Sequence, residues 1–472
     1  MSSRTREAGR STAHHAPTAG SLLGASVGAT PADANPAGTR SGTGTRPARA
    51  PVGVALAADR SRLPLVALFT VGALPAYLAP CIVSRVTGEL QLTAAQAGVV
   101  GTVLLLASAL AGIALAGRVA VIGGARLAQG GLVLLLTGFT AAGTATVGAP
   151  ALLLVGCLLG GLGAGTAAAV AATGIASSPD PHRTTVLGLL ATSAAASTLY
   201  LLLPRLGSVH ALPFLALALT GALAFPLTLR LPATPSPNPN PTPTPTPTPT
   251  PDPTAAPHCS QRLPRRAAGL VLAGSMVLWS LAQNALWGVS GQIGQHRVGL
   301  TEQRLGLVFA VALGAGLVGV LASGVLADRA GRVVPVGLGT ATIAVCVTVS
   351  ADARSAAAFA GGEVLWNALY PLVFSYLIGV AAALDPTGRW TVLTGAASAL
   401  GLAGGPLAGA TLVAGLGCPL LAAVLGGTLL LTAVPLALVA RTVEAAPAFA
   451  GRPVRLPIPT QRVPEPAVAP AP

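Results

Sequence analysis

Apolar residues in this sequence are grouped in nearly unbroken stretches of about 20 positions, with short polar breaks between them, rather than recurring at every second or every third to fourth position. A helix rising about 1.5 Å per residue needs roughly 20 such residues to cross a hydrocarbon core about 30 Å thick. The stretches predict twelve membrane spans, at 63–83, 94–116, 127–147, 150–173, 185–204, 209–229, 267–290, 305–327, 334–351, 355–382, 391–412 and 417–440. The expected fold class is therefore all-α: a polytopic membrane protein with twelve transmembrane helices in two six-helix bundles.

The longest breaks set the domain boundaries. Residues 1–62 are rich in Ser, Thr, Gly, Ala, Pro and Arg without periodicity, which predicts a disordered N-terminal tail. Residues 231–266 carry NPNPTPTPTPTPTPDPT, whose prolines lack amide donors and favour an extended polyproline spacer. This linker separates a bundle at 63–230 from one at 267–440, and residues 441–472 form a second Pro-rich tail expected to be disordered.

Composition agrees with lipid as the solvent, since only 8% of residues are charged while 52% are hydrophobic. A net charge of +14 raises the alternative of a nucleic-acid partner, and the placement of the charges answers it. Every basic residue is Arg, and with both termini on one side that side receives 22 of the 27. Such asymmetry is what the positive-inside rule requires, so both termini are expected in the cytoplasm and the basic charge is topogenic. No basic face with interleaved aromatics is present, and nucleic acid is excluded as a partner.

The two halves repeat each other. LTAAQAGVV (92–100) matches LTEQRLGLV (300–308), and DPHRTTVL (180–187) matches DPTGRWTVL (385–393), sharing DP and then RxTVL. Between them GRVAVIGGA (117–125) aligns with GVLADRAGR (324–332), where Val121 and Ile122 stand in place of Asp328 and Arg329. GVLADRAGR, in the loop after the eighth span, resembles the cytoplasmic-loop signature of the major facilitator superfamily, roughly GxLADRxGRR, through Gly324, Leu326, Ala327, Asp328, Arg329, Gly331 and Arg332. The resemblance covers about 63–440. It implies two pseudo-symmetric bundles that rock about a central cavity, and a loop that latches them on the cytoplasmic side in the outward-open state.

In that role Gly324 permits close helix approach and Gly331 a tight turn, while Asp328, Arg329 and Arg332 supply charged contacts. By pseudo-symmetry the expected partner of Asp328 is the start of span 5, near Thr184 and Thr185. The bland alternative gives the arginines topology alone, although the acid is unnecessary for topology. The sequence also departs from proton-coupled exporters of the family: where they carry RxxQGxGAG in the fourth span, this chain reads CLLGGLGAG, with Cys157 for Arg and Gly160 for Gln.

Polar groups inside a bilayer are costly and therefore informative. Glu363 is the only carboxylate placed inside a span, with Asn367 and Tyr370 following at i+4 and i+7, so it is the candidate for proton coupling; the alternative pairs it with Arg354 or Arg85. Tyr77 between Pro75 and Pro80 in span 1, and Trp279, Gln283, Asn284, Trp287 and Gln292 in span 7, mix rings and amides able to hold an organic solute. The substrate-binding set is Tyr77, Trp279, Gln283, Asn284, Asn367 and Tyr370, with Trp287 closer to an interface anchor.

No catalytic or metal constellation competes: the histidines show no HExxH spacing, the five cysteines no CxxC pair, and a chain without Lys cannot form a P-loop. No cofactor or metal is expected. The function expected is secondary transport of a small organic solute, directed outward across the plasma membrane, with protons as a conditional second partner, lipid as surroundings and a monomeric state. An importer or uniporter is the alternative in mechanism, and a polytopic enzyme or sensor the alternative in class.

Overall fold

A computed structural model describes residues 52–231, 266–326, 331–385 and 388–444. Eleven of its helices are long and apolar enough to cross a membrane. The last, Arg389–Glu444, has 56 residues, about 84 Å of helix at 1.5 Å each and too long for one crossing. It breaks at Gly417, whose φ of 73° is left-handed, so it supplies spans 11 and 12 and brings the crossings to twelve.

Spans 1 to 6 are Val52–Glu89, Ala94–Ala116, Gly124–Gly143, Pro150–Ala176, Pro181–Leu206 and Ala211–Thr228. Spans 7 to 10 are Arg266–Gln292, Glu302–Leu326, Val333–Ala351 and Ala356–Leu384, and a π-helical turn, Ile293–Arg297, extends span 7. The first helix starts at Val52, inside the stretch read as tail, and the last runs to Glu444. Most of the N-terminal tail, the linker and the C-terminal tail lie outside the described residues, as do Asp328 and Arg329.

Large apolar side chains point outward all round the molecule, as at Leu223 (67% exposed), Val318 (64%) and Leu431 (72%), the arrangement expected where lipid replaces water. Inside each half, small residues let helices close up. The glycines of CLLGGLGAG sit against spans 2 and 3: a Cβ on Gly163 would collide with Leu135, and one on Gly165 with Ala111. Packing thus accounts for the glycines that survive where the exporter arginine is missing.

The halves meet through span 1 against span 7, span 5 against span 8, and span 2 against span 11. The last two contacts are equivalent under the repeat. Gly98 of span 2 lies where a Cβ would stand 2.7 Å from Ala410 Cβ and 2.9 Å from Pro406 O. Gly306 of span 8, which matches Gly98, lies against Tyr200 O and Pro204 Cγ of span 5, and Tyr200 and Pro204 align with Pro406 and Ala410 when Arg183 is matched to Arg389. The repeat read from loop residues is therefore a repeat of contacts as well.

These contacts fall in the membrane half away from the start of span 1 and the end of span 12. We call that side distal and the other terminal.

Candidate functional site

The distal side is sealed by polar bonds between the bundles. Ser84 Oγ donates to Gln295 Oε1 at 2.7 Å, Gln292 Nε2 donates to Thr87 Oγ1 at 2.8 Å, and Arg85 pairs with Glu302 at 3.1 Å. Arg85 is only 5% exposed and also donates to Val209 O. A buried guanidinium is tolerated there because a carboxylate and a carbonyl both meet it. A small void of about 30 Å³ lies among these groups, beside Cys81 and Gly306.

One layer deeper, proline chemistry fixes the seal. Pro80 has no N–H to give to the carbonyl of Ala76, four residues back. Trp287 Nε1, from the opposite bundle, donates to that oxygen at 3.0 Å. Tyr200 OH donates to the neighbouring Tyr77 O at 2.7 Å. The rings then close against one another: Trp287 lies edge-on to Phe309 and Trp366, with centroids 5.2 and 6.0 Å away. Span 1 runs on as one helix through Pro75 and Pro80, and the carbonyl that Pro80 releases, that of Ala76, receives a protein donor, as does the neighbouring carbonyl of Tyr77.

On the terminal side of this aromatic layer lies a cavity of about 320 Å³ between the bundles. Span 1 contributes Tyr77, span 7 Gln283, Asn284 and Trp287, and span 10 Trp366, Asn367, Tyr370 and Phe374. Span 5 adds Leu189 and Ser193, span 8 adds Leu313, Leu317 and Val320, and span 11 adds Leu402. Of the residues singled out from the sequence, Tyr77, Gln283, Asn284, Asn367 and Tyr370 share this wall. Trp279 does not line it: fully buried, it stacks behind Tyr370 at 5.2 Å and 20°.

Gln283 is a brace. Its Oε1 accepts from Trp366 Nε1 at 2.8 Å while its Nε2 donates to Trp279 O at 3.0 Å, which fixes the Trp366 ring at the cavity wall. Asn284 and Asn367 anchor only their nitrogens, to Ser280 O at 2.8 Å and Glu363 O at 2.9 Å on their own helices. Trp287, read as an interface anchor, is instead 7% exposed between the bundles, because the π turn carries span 7 to Arg297 and places this ring well inside the helix.

Glu363 is completely buried and lies outside the cavity wall, one helical turn toward the distal side from Asn367. Its Oε1 accepts from Ser290 Oγ of span 7 at 2.7 Å, and Oε2 meets no donor among the described residues. It pairs with neither Arg85, which is engaged by Glu302, nor Arg354, which is exposed.

The loop after span 8 is described only from Gly331. Gly331 has a φ of +59°, so it makes the tight turn, and the Arg332 and Val333 amides at the start of span 9 both donate to Glu444 Oε1 at the end of span 12, the latter at 3.2 Å. A carboxylate at a helix N-terminus is favoured by the helix dipole. Gly324 stands in the last turn of span 8. At the expected partner of Asp328, Thr184 and Thr185 donate to Asp180 O and Pro181 O, and Asp180 itself caps span 5 through the Arg183 amide at 3.0 Å.

Comparison with known proteins matches residues 65–389, more than half of the chain, to a family model described as the Major Facilitator Superfamily. Among solved structures, the human organic anion transporter MFSD10 (TETRAN) shares 18% identity with a TM-score of 0.55, over 80% of this chain and 99% of that one. A D-xylose-proton symporter shares 14% with a TM-score of 0.59, over 81% and 97%. At these identities the likeness is one of fold. No curated protein matches the sequence significantly.

Proposed function

The chain belongs to the major facilitator superfamily, a family of transporters and not enzymes, and from that premise we propose that it exports a small organic solute across the plasma membrane by alternating access. The observation that carries this reading is the cavity between the two bundles, closed on the distal side by the matched contacts at Gly98 and Gly306. Such an arrangement has a mirror state, in which those contacts part and the terminal side closes. The arginine distribution supports cytoplasmic termini and a cytoplasmic linker, which makes the observed state inward-facing. Tyr77, Gln283, Asn284, Asn367 and Tyr370 bind the solute, with Trp279 backing Tyr370, and the Gly324–Arg332 loop latches the alternative state through Asp328, Arg329 and Arg332.

Protons drive the cycle through Glu363, which is held by Ser290 between cavity and seal and would need water or a cation to carry a charge. Proton-coupled solute movement is named for the D-xylose symporter among the neighbours. One observation favours the second reading, a uniporter or importer: no ionisable carboxylate among the described residues lines the cavity itself.

Alternating access is tested without knowing the solute. In a background with the five native cysteines replaced, Ser193→Cys in the cavity is labelled by a membrane-impermeant maleimide from either side. A disulfide between Ser84→Cys and Gln295→Cys, whose side chains now share a 2.7 Å bond, should abolish labelling from outside cells and preserve it in inverted vesicles. Outside labelling that survives the disulfide, or that never occurs without it, removes the proposal.

A further inference from the structure

The chemistry of the cavity wall narrows its ligand, given that the cavity is the transport site proposed above. Among the described residues that line it none is charged; the polar groups are amides and hydroxyls, and the rest are rings and aliphatic side chains. Desolvating an ion against such a wall leaves it without a counter-charge, whereas a ring gains apolar contact with Tyr77, Trp287, Trp366 and Tyr370. The nearest buried charge-bearing group, Glu363, is fully enclosed beyond the wall with Ser290 on it.

The two asparagines add a polarity. Each Nδ2 donates to a carbonyl of its own helix, Asn284 to Ser280 O and Asn367 to Glu363 O. Only the nitrogen of an amide can satisfy a carbonyl, so these bonds also decide which way each group faces. Both Oδ1 atoms remain as acceptors at the cavity, with no donor reaching either from a described residue. Gln283, by contrast, has both of its polar atoms bonded to protein. The two asparagines therefore ask the ligand for hydrogen-bond donors, while the hydroxyls of Tyr77, Ser193 and Tyr370 can either accept or donate.

We infer that the cavity takes an uncharged, ring-bearing organic solute that donates hydrogen bonds through hydroxyl or N–H groups to Asn284 Oδ1 and Asn367 Oδ1. A volume of about 320 Å³ is at the small end of ligand cavities, which suits a compound of one or two rings.

A matched series on one nitrobenzyl frame tests this with the purified full-length chain. The probes are 4-nitrobenzyl alcohol, its methyl ether, 4-nitrobenzoate and 4-nitrobenzyltrimethylammonium, read by quenching of tryptophan fluorescence and by protection of Ser193→Cys from maleimide. The alcohol should bind saturably and protect the cysteine, the ether about three- to tenfold more weakly, and both ions at least about a hundredfold more weakly. Asn284→Leu and Asn367→Leu should each bring alcohol and ether toward equal affinity. An ion that binds as tightly as the alcohol overturns the inference, as does an ether that matches it in the unsubstituted protein, or an alcohol that never saturates or protects. The disulfide experiment above uses no ligand, so failure of the transport reading and failure of this ligand class are separately visible.

Discussion

Replacing Gly98 by alanine should open the distal seal. In the observed state the added Cβ would stand 2.7 Å from Ala410 Cβ, 2.9 Å from Pro406 O and 3.0 Å from Leu407 Cα. Two of those three atoms are backbone, which cannot rotate away, so span 11 must shift or the contact must part. Overpacking of this kind costs typically about 1–3 kcal/mol. The cost falls on the distal-closed state alone, because in the other state spans 2 and 11 separate on that side. The ratio of the two states should therefore move about five- to 150-fold toward distal-open. The maleimide rate at Ser193→Cys from outside cells reports that ratio directly and should rise by a comparable factor. Gly306→Ala should do the same, since its Cβ would run into Tyr200 O. Gly274 and Gly361 have nothing within 4 Å of an added Cβ, and alanine at either should leave the rate unchanged. An unchanged or slower rate in Gly98→Ala, at equal amounts of folded protein, would refute the assignment of this contact as the seal.

Four further outcomes are expected. Reporter cysteines at Ser236 in the linker and Ala467 in the C-terminal tail should resist impermeant reagents outside intact cells and react in inverted vesicles; efficient outside labelling of either would reverse the topology. Glu363→Gln keeps an acceptor for the Ser290 hydroxyl and should retain exchange across proteoliposomes while losing accumulation driven by a pH gradient; unchanged driven accumulation would exclude Glu363 as the coupling group. Asp328→Asn should slow maleimide from outside, by removing the stabilisation proposed for the outward-open state, and Val121→Asp, an acid at the matching position of the first half, should not reproduce that effect. Glu444→Gln should instead speed hydrogen exchange at the Arg332 and Val333 amides about two- to fivefold, with little effect on that labelling.

What could be read from the sequence depended on how local its signal was. The spans were legible because length and apolarity are properties of one stretch at a time, and the repeat because scarce charges and DP pairs mark its loops. Trp287 was misplaced by a boundary: with span 7 ending near residue 290 it stands at the lipid surface, and the π turn to Arg297 moves that surface away from it. Trp279 and Tyr370 lie on different spans, so no spacing within either one reveals that the first ring stacks behind the second. Span 8 contributes Leu313, Leu317 and Val320 to the cavity with side chains no different from those facing lipid, so no compositional signal could have found them.

The seal shows why the duplicated halves need not be identical to act alike. Gly98 and Gly306 occupy matched positions and each meets backbone or proline across the interface, yet the partners differ: Pro406 and Ala410 on one side, Tyr200 and Pro204 on the other. Both pairs put a proline on the facing helix one turn apart. At Pro204 the missing amide leaves the Tyr200 carbonyl without its helical donor, and Gly306 brings only a Cα hydrogen toward it. At Pro406 the released carbonyl belongs to Leu402, which instead lines the cavity. One seal thus buries its orphaned carbonyl in the contact, while at the other that carbonyl belongs to a residue of the cavity wall. Alanine at Gly98, which disturbs the helix that bears Leu402, should therefore change ligand affinity more than alanine at Gly306 even where both open the distal side equally.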